Sequence, residues 1–474
     1  MRDYKQFYIN GEWVNPSESQ PLDVINPASE EVCAQISIGS SADVDKAAAA
    51  AKEAFKTFGQ STREERIALL EAILASYQNH WADLAAAITE EMGAPNQLSA
   101  TAQVGSGFGH FKTALEILKN YSFEEQMGNS QVVKEPIGVC GLITPWNWPL
   151  NQIACKVAPA LATGCTMILK PSEVAPLSAY IFSKILDEAG VPAGVYNLIN
   201  GDGPGVGTAL SSHPDIDMMS FTGSTRAGIL VSQNAAPSVK RVTQELGGKS
   251  ANIMLEDVDV AAATARSVMT MFMNTGQSCN APSRLLVPAG KMQEVSAVAA
   301  KIAESVVVGD PSAEGTTMGP VVSEVQYNKI QGLIQKGIDE GATLVCGGTG
   351  KPDGLNSGYF VKPTIFADVN NSMTIAREEI FGPVLTILPY DSVDEAIDIA
   401  NDTPYGLAGY IQGDDAEQVN YVARRIRAGN ININGQSGDQ STPFGGFKQS
   451  GNGREWGEHG FSDYLEVKAI SGLN

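Results

Sequence analysis

Positive charge is what this sequence has too little of. Its 32 lysines and arginines face 53 aspartates and glutamates, a net charge of -21 over 474 residues. A phosphate backbone would meet a repulsive field, so nucleic-acid binding is not expected. Histidine is scarce as well: His80, His110, His213 and His459 lie far apart and follow no metal-ligand spacing. The cysteines, Cys33, Cys140, Cys155, Cys165, Cys279 and Cys346, include no close pair of the kind that opens a zinc site. Reduced thiols and no metal centre are the expectation. No apolar run approaches the roughly 18 residues that span a bilayer. Residues 1–10 mix polar and aromatic side chains, without the apolar core of a signal peptide. A cytoplasmic chain with no membrane partner is expected.

What is present is globular: 43% hydrophobic and 18% charged residues, with 48 glycines and 24 prolines. The length exceeds one ordinary core, so two or three domains are expected. An Ala-rich helix is predicted over 41–58. Thr62 to Glu65 then fits a capping box, and Leu70, Leu74, Tyr77, Trp81, Leu84 and Ile88 follow at helical spacing. They predict one helix that stops at Gly93 and Pro95. From about Gly138 strands alternate with helices: strands at 138–144, 166–170, 195–199, 218–222 and 239–245, helices at 151–163, 177–189, 205–212 and 225–234. Short apolar strands joined by single helices imply a parallel, doubly wound sheet. Ligands of such sheets bind outside the carboxyl ends of the strands, where Thr144, Lys170, Asn200 and Thr222 fall. A second α/β series starts near Gly247, with strands at 251–255, 285–287, 342–345 and 384–389. Residues 462–470 alternate like an edge strand.

Cys279 stands apart from the other cysteines. It sits in Gly276-Gln277-Ser278-Cys279-Asn280-Ala281-Pro282, a polar turn between a helix and a strand. A thiol there can be exposed and lowered in pKa by backbone dipoles, as a nucleophile requires, or can be an inert loop cysteine. Glu245 ends an apolar strand beside Gly247 and Gly248; it suits a general base, or a strand-end acid paired with Lys249. Asn147, framed in Thr144-Pro145-Trp146-Asn147-Trp148-Pro149, is either an oxyanion donor or part of a packed aromatic loop. Gly201-Asp202-Gly203-Pro204-Gly205-Val206-Gly207 follows a strand but has Val206 where the dinucleotide fingerprint needs glycine. Phe221-Thr222-Gly223-Ser224-Thr225 puts Ser224 at a helix start that can hold a phosphate. Lys170-Pro171-Ser172-Glu173 offers a cation and a carboxylate for ribose hydroxyls. All converge on one sheet edge.

Taken in order, these motifs resemble those of the NAD(P)-dependent aldehyde dehydrogenase superfamily. The resemblance runs from Tyr8-Ile9-Asn10-Gly11-Glu12-Trp13, through Glu379-Ile380-Phe381-Gly382-Pro383, to Pro443-Phe444-Gly445-Gly446-Phe447-Lys448 and the last strand. It implies an aldehyde dehydrogenase-like α/β fold. A modified Rossmann cofactor domain would span 1–120 and 138–246, and a second α/β catalytic domain 247–447. A β-hairpin at 121–137 would form an oligomerisation arm with the tail 448–474, bridging homodimers or homotetramers.

The resemblance also implies roles. Cys279 attacks the aldehyde, Asn147 and the Cys279 backbone N–H hold the oxyanion of the thiohemiacetal, and Glu245 activates the water that hydrolyses the thioester. Lys170 and Glu173 match adenine-ribose contacts, Ser224 and Trp146 the pyrophosphate, and Glu379 and Phe381 the nicotinamide ribose. Thr144, Gly203, Gly207, Phe221, Gly223 and Leu246 complete the cofactor set. Trp148, Gln152, Cys155, Ser278 and Asn280 line the substrate tunnel, and the polar segment 436–441 overhangs its mouth. Glu455 matches a second acid near the water path, with a structural role equally open. No arginine pair for a dicarboxylic semialdehyde stands out, and Arg284, near Cys279, has a structural reading. Glu173 favours NAD over NADP, with NADP as the second cofactor. The alternatives are a coenzyme-A-acylating aldehyde dehydrogenase, against which Glu245 speaks, and a non-catalytic NAD-binding protein of the same fold.

Overall fold

The computed structural model describes residues 2–436 and 438–472. Its largest sheet has eight strands. Val139–Ile143, Thr166–Lys170, Tyr196–Leu198, Met218–Thr222 and Arg241–Glu245 run parallel. Phe7–Ile9 and Glu12–Val14 extend one edge antiparallel, and Gly451–Asn452 pairs with Gln244 and Glu245 at the other. The central strands are buried along their whole length because helices cover both faces. Side-chain alternation divides the core accordingly. Cys140, Leu142, Met167 and Leu169 join the helical layer of Leu70, Leu115 and Val157. Val139, Ile143, Ile168 and Phe221 face Val44, Ala48 and Val231.

Val139–Ile143 and Met218–Thr222 are neighbours although other strands separate them in sequence. Their order reverses there, so the loops leaving their carboxyl ends diverge and open a crevice. The second sheet has seven strands, parallel except for the edge strand Thr343–Cys346. Three of its strands, Thr364–Ala367, Ala408–Gln412 and Asn430–Ile433, have no counterpart in the sequence expectation. A third sheet pairs the hairpin Glu124–Met127 and Ser130–Pro136 with Leu465–Ser471. The tail is therefore divided, since Gly451–Asn452 serves the large sheet.

Some boundaries differ. The predicted single helix after Thr62 is two, Arg63–Asn79 and Trp81–Met92, because His80 leaves helical geometry and its ring bonds Glu188 at 2.8 Å. The capping box is present, with the Glu65 amide on Thr62 Oγ1 at 3.2 Å and the Thr62 amide on Glu65 Oε2 at 2.7 Å. The glycine-rich turn forms a π-turn, Gly203–Gly207, before a short helix at Thr208–Ser212. The strand predicted from Val239 starts at Arg241, since Val239 is left-handed (φ 54°) and exposed. No helix among the described residues is long and apolar enough to cross a membrane.

Candidate active site

The crevice at the strand-order reversal is a cavity of about 180 Å³. Trp146, Asn147, Gly223 and Ser224 enter from the carboxyl ends of the large sheet, and Cys279 and Glu379 from segments leading into strands of the second sheet. Beyond Cys279 lies a second cavity of about 310 Å³, lined by Trp148, Gln152, Ser278 and Asn280 among others. Cys279 belongs to both walls.

The first cavity has an anion-compatible end. Ser224 caps the helix Thr225–Ala235, its Oγ accepting the Ala227 N–H at 3.3 Å, and the helix start faces the cavity. A Cβ at Gly223 would lie 2.6 Å from the Phe221 ring, so any other residue there requires that ring to shift. At the other end Glu379 Oε1 accepts the Gly248 N–H at 2.9 Å, and burial raises its carboxyl above the ordinary range. Phe381 stands edge-on to Trp146, with centroids 5.3 Å apart, on a left-handed backbone (φ 59°). Two residues that the sequence did not single out fix this corner. Gln326 Nε2 donates to the Phe381 carbonyl at 2.7 Å, and Lys329 Nζ donates to the Glu379 carbonyl at 2.9 Å. Both lie on the amphipathic helix Glu324–Asp339, where nothing distinguishes them from its solvent face.

The structure brings Trp146, Gly223, Ser224, Leu246, Glu379 and Phe381 together. Thr144, Lys170, Glu173, Gly203, Gly207 and Phe221 do not line the same cavity. Lys170 is buried and spends its protons within the chain, on the Pro171 carbonyl at 2.8 Å, the Gly201 carbonyl at 2.6 Å and Glu173 at 3.3 Å. It ties two strand ends together, and burial lowers its pKa. A Cβ at Gly203 would meet nothing within 4 Å, so no close approach demands glycine there.

The turn before Cys279 carries backbone strain. Asn274, Thr275 and Gly276 are consecutive left-handed residues, at φ 53°, 56° and 70°. A Cβ at Gly276 would lie 2.2 Å from the Gly382 carbonyl oxygen. Buried carboxamides hold the turn. Asn147 Nδ2 donates to the Gln277 carbonyl at 3.0 Å, and the Asn147 carbonyl accepts from Asn274 at 2.9 Å and Gln103 at 3.1 Å.

Electrostatics weigh against two of the open readings. Burial, with the fields of Glu379 and Glu245, pushes the Cys279 thiol up, against the pull of the backbone N–H groups of Cys279 and Asn280. The dipole effect expected from the turn is present but outweighed. Glu245 does not pair with Lys249: neither carboxylate oxygen nor the ammonium has a hydrogen-bond partner among the described residues. Burial first, then the Glu455 charge, raise the Glu245 carboxyl well above the ordinary range, against Lys156 and Arg454. Beneath it Glu455 is paired with the fully buried Lys156, whose ammonium also donates to Ser220 Oγ at 3.1 Å.

In the second cavity Trp148 Nε1 donates to Ser278 Oγ at 2.8 Å, so this wall is pinned to the turn that carries Cys279. Cys155 is a correction: it does not line the tunnel. It lies one helical turn beyond Gln152 on Pro149–Thr163, its thiol donating to Glu455 Oε2 at 3.2 Å. Arg284 is structural. Fully buried, it donates to the carbonyls of Lys249 at 3.0 Å and of Ile399 and Ala400 at 2.9 Å. In the segment 436–441, Ser437 lies outside the described residues, Gly438 lines the tunnel, and Gln440 Nε2 donates to the Ser106 carbonyl at 2.8 Å.

A crevice of the nucleotide-fold type lies on one side of the Cys279 thiol and a second cavity on the other. The comparisons give the family. The aldehyde dehydrogenase family model matches residues 13–470, and the chain belongs to that family. A relative from Pseudomonas sp, named 3-succinoylsemialdehyde-pyridine dehydrogenase, is 56% identical over 473 residues, covering 100% of this chain and 99% of that one. The solved aldehyde dehydrogenase of Bartonella henselae is 51% identical with a TM-score of 0.98, covering 99% of this chain and 100% of that one. A mutant aldehyde dehydrogenase C of Pseudomonas syringae, complexed with NAD+ and octanal, is 51% identical with a TM-score of 0.98, covering 99% of this chain and 97% of that one. The protein is thus an oxidoreductase acting on aldehydes.

Proposed function

We propose that the protein oxidises its aldehyde to the carboxylic acid through a covalent adduct on Cys279, with Asn147 and Glu245 as its partners. One observation carries this reading: Cys279 is the cysteine that belongs to the walls of both cavities. Its sulfur adds to the aldehyde carbonyl, and the Asn147 carboxamide with the Cys279 N–H stabilises the oxyanion. Once the adduct has given up its hydride to become a thioester, Glu245, buried and without an internal partner, takes a proton from the water that attacks the thioester carbonyl carbon; the carbon–sulfur bond breaks, freeing the acid and the Cys279 sulfur. Its raised pKa makes the ionised carboxylate a stronger proton acceptor than a free one.

The first cavity fits NAD. Ser224 and its helix start suit a pyrophosphate, Glu379 suits ribose hydroxyls, and the buried Thr222 hydroxyl in the cavity wall has no partner among the described residues. Bound there, NAD supplies the hydride acceptor. The solved relatives from Pseudomonas syringae and Mycobacterium tuberculosis that carry NAD+ support the same choice. Glu173 disfavours a 2′-phosphate, and Lys170, already engaged, does little to offset it, so NADP is the weaker cofactor. The large sheet with the segments 1–120 and 138–246 is read as the cofactor domain and 247–447 as the catalytic domain. The free edges of the hairpin sheet, Glu124–Met127 and Leu465–Ser471, support assembly into homodimers or homotetramers.

Cys279→Ala is expected to abolish oxidation while NAD still binds. Glu245→Gln is expected to give one burst of NADH per active site followed by turnover slowed about 10²–10⁴-fold. Retained turnover in Cys279→Ala would sink the nucleophile. Turnover that requires added coenzyme A would replace water with a thiol acceptor.

A further inference from the structure

The helical layer on the large sheet contains a distorted turn that points at the site. Ser99–Gln103 is a π-turn, and the helix Val104–Asn120 continues from it. A π-turn carries one residue more than an α-turn and so rotates the residues at its end about the helix axis. Side-chain hydroxyls take up the carbonyls at its exit. Ser106 Oγ donates to the Gln103 carbonyl at 2.8 Å, and the Tyr77 hydroxyl to the Val104 carbonyl at 3.0 Å. The Gln103 side chain is thereby delivered into the interior, 0% exposed. It lands between two segments that meet nowhere else in the chain's order: the loop that carries Asn147 and the left-handed turn at Asn274 that precedes Cys279.

The orientation of these amides is forced by the backbone. Asn274 Nδ2 donates to the Asn147 carbonyl at 2.9 Å and to the Gln277 carbonyl at 3.2 Å. Carbonyls can only accept, so Asn274 turns its Oδ1 the other way, towards Gln103. Gln103 must then present its amino group, and Nε2 donates to Asn274 Oδ1 at 3.3 Å and to the Asn147 carbonyl at 3.1 Å. Its Oε1 is left buried without a partner among the described residues. That orphan oxygen is unfavourable, and a methionine of similar shape would not carry it. What glutamine adds in return is a donor bridge that closes a ring of Gln103, Asn147 and Asn274. The Asn147 amino group has two N–H bonds. One goes to the Gln277 carbonyl at 3.0 Å, which leaves the other for the cavity that Asn147 lines.

We propose that Gln103 is a positioning residue for the oxidation: it locks the Asn147 main chain to the turn that carries Cys279, and so sets the spacing between the Asn147 donor and the sulfur. The inference rests on the reading of Asn147 as oxyanion donor and goes beyond it by naming what aims that donor. Gln103 lines neither cavity, so it touches neither aldehyde nor cofactor and acts through the groups it holds. Asn147 follows a strand of the large sheet, whereas Cys279 leads into a strand of the second. Their spacing therefore depends on non-covalent ties between the two sheets. An oxyanion donor works because it already stands where charge develops, and a displacement of about 1 Å forfeits much of its effect.

The test is a double-mutant cycle of Gln103→Met and Asn147→Ala in the full-length enzyme with NAD. The substrate is whichever of hexanal, benzaldehyde and succinic semialdehyde the wild type turns over fastest. Gln103→Met alone is expected to lower kcat and kcat/KM for the aldehyde together by about tenfold, as the loss of an interaction made in the transition state does. The dissociation constant of NAD is expected to stay within about twofold, since the cofactor cavity is untouched. Asn147→Ala is expected to lower kcat about 10²–10³-fold. Adding Gln103→Met to it is expected to cost less than about twofold more, because the group that Gln103 positions has gone. A residue that only supports the fold slows both backgrounds alike, so equal losses in the two overturn the proposal. So does Gln103→Met with unchanged kcat, or with a raised KM alone. Thermal melts accompany the kinetics, and Gln103→Leu carries the same cycle where Gln103→Met does not fold. Full kcat in Asn147→Ala overturns instead the oxyanion reading beneath the proposal.

Discussion

Replacing Lys249 by methionine is expected to make the protein more stable. The ammonium is 2% exposed and has no hydrogen-bond partner among the described residues. Burial, then the neighbouring Arg284, lower its pKa from 10.5 to about 7, against the opposing pull of Glu379. That shift is worth about 5 kcal/mol at about 1.4 kcal/mol per pH unit. The unfolded chain holds this proton more tightly than the folded one. The penalty is therefore present in full below pH 7, shrinks as pH rises, and is gone above the unfolded value. Methionine keeps most of the stem volume and gives up no hydrogen bond. Relaxation around a buried charge reduces the gain, so Lys249→Met is expected to add between about 1 and 5 kcal/mol at pH 6.5. The assay is equilibrium urea unfolding of both proteins from pH 6.5 to 9.5. The advantage should narrow steadily across that range as the wild-type lysine gives up its proton. A variant less stable at pH 6.5, or an advantage equal at both ends, would refute the reasoning.

Alkylation of Cys279 by iodoacetamide in the cofactor-free enzyme should rise about tenfold per pH unit up to pH 9, because its thiol is held above the ordinary range; a plateau near pH 7 would mean a preformed thiolate. Gly276→Ala should lower kcat at least about tenfold, since its Cβ would press on the Gly382 carbonyl and shift the turn carrying Cys279. Steady-state kinetics beside a thermal melt would reveal it, and unchanged kcat would show that the turn tolerates the methyl.

Much of the fold was legible because its central strands are uninterrupted apolar runs bounded by loop residues. Val139–Ile143, Thr166–Lys170 and Met218–Thr222 are buried on both faces, and such runs look alike in sequence and structure. The helix break at His80 was not legible, because the apolar spacing continues across it from Tyr77 to Leu84. Asn430–Ile433 was missed because asparagine is a poor strand former, and its four residues are only half-buried. Among candidate site residues, Cys279 could be picked out by the polarity around it. The direction of its pKa could not, since the acids that raise it, Glu245 and Glu379, are distant in sequence. Cys155 was placed along the tunnel by resemblance, which carries over positions in the chain but not how deep this thiol sits, and it turns towards Glu455. The alternative pairing of Glu245 with Lys249 rested on proximity in sequence alone, whereas the chain crosses from one sheet to the other between them.

Phe381 and Trp456 set stability against use. Each is a large aromatic residue at positive φ, 59° and 67°, and each forms a wall of one of the two chambers that meet at Cys279. A side chain in that region of backbone space costs about 1 kcal/mol or more relative to glycine. The stacking of Trp456 on Phe444 and the edge contact of Phe381 with Trp146 offset that cost, so glycine at either position would exchange relief of the backbone for lost aromatic packing and a chamber without its wall. These two positions are best held fixed when the protein is stabilised for practical use.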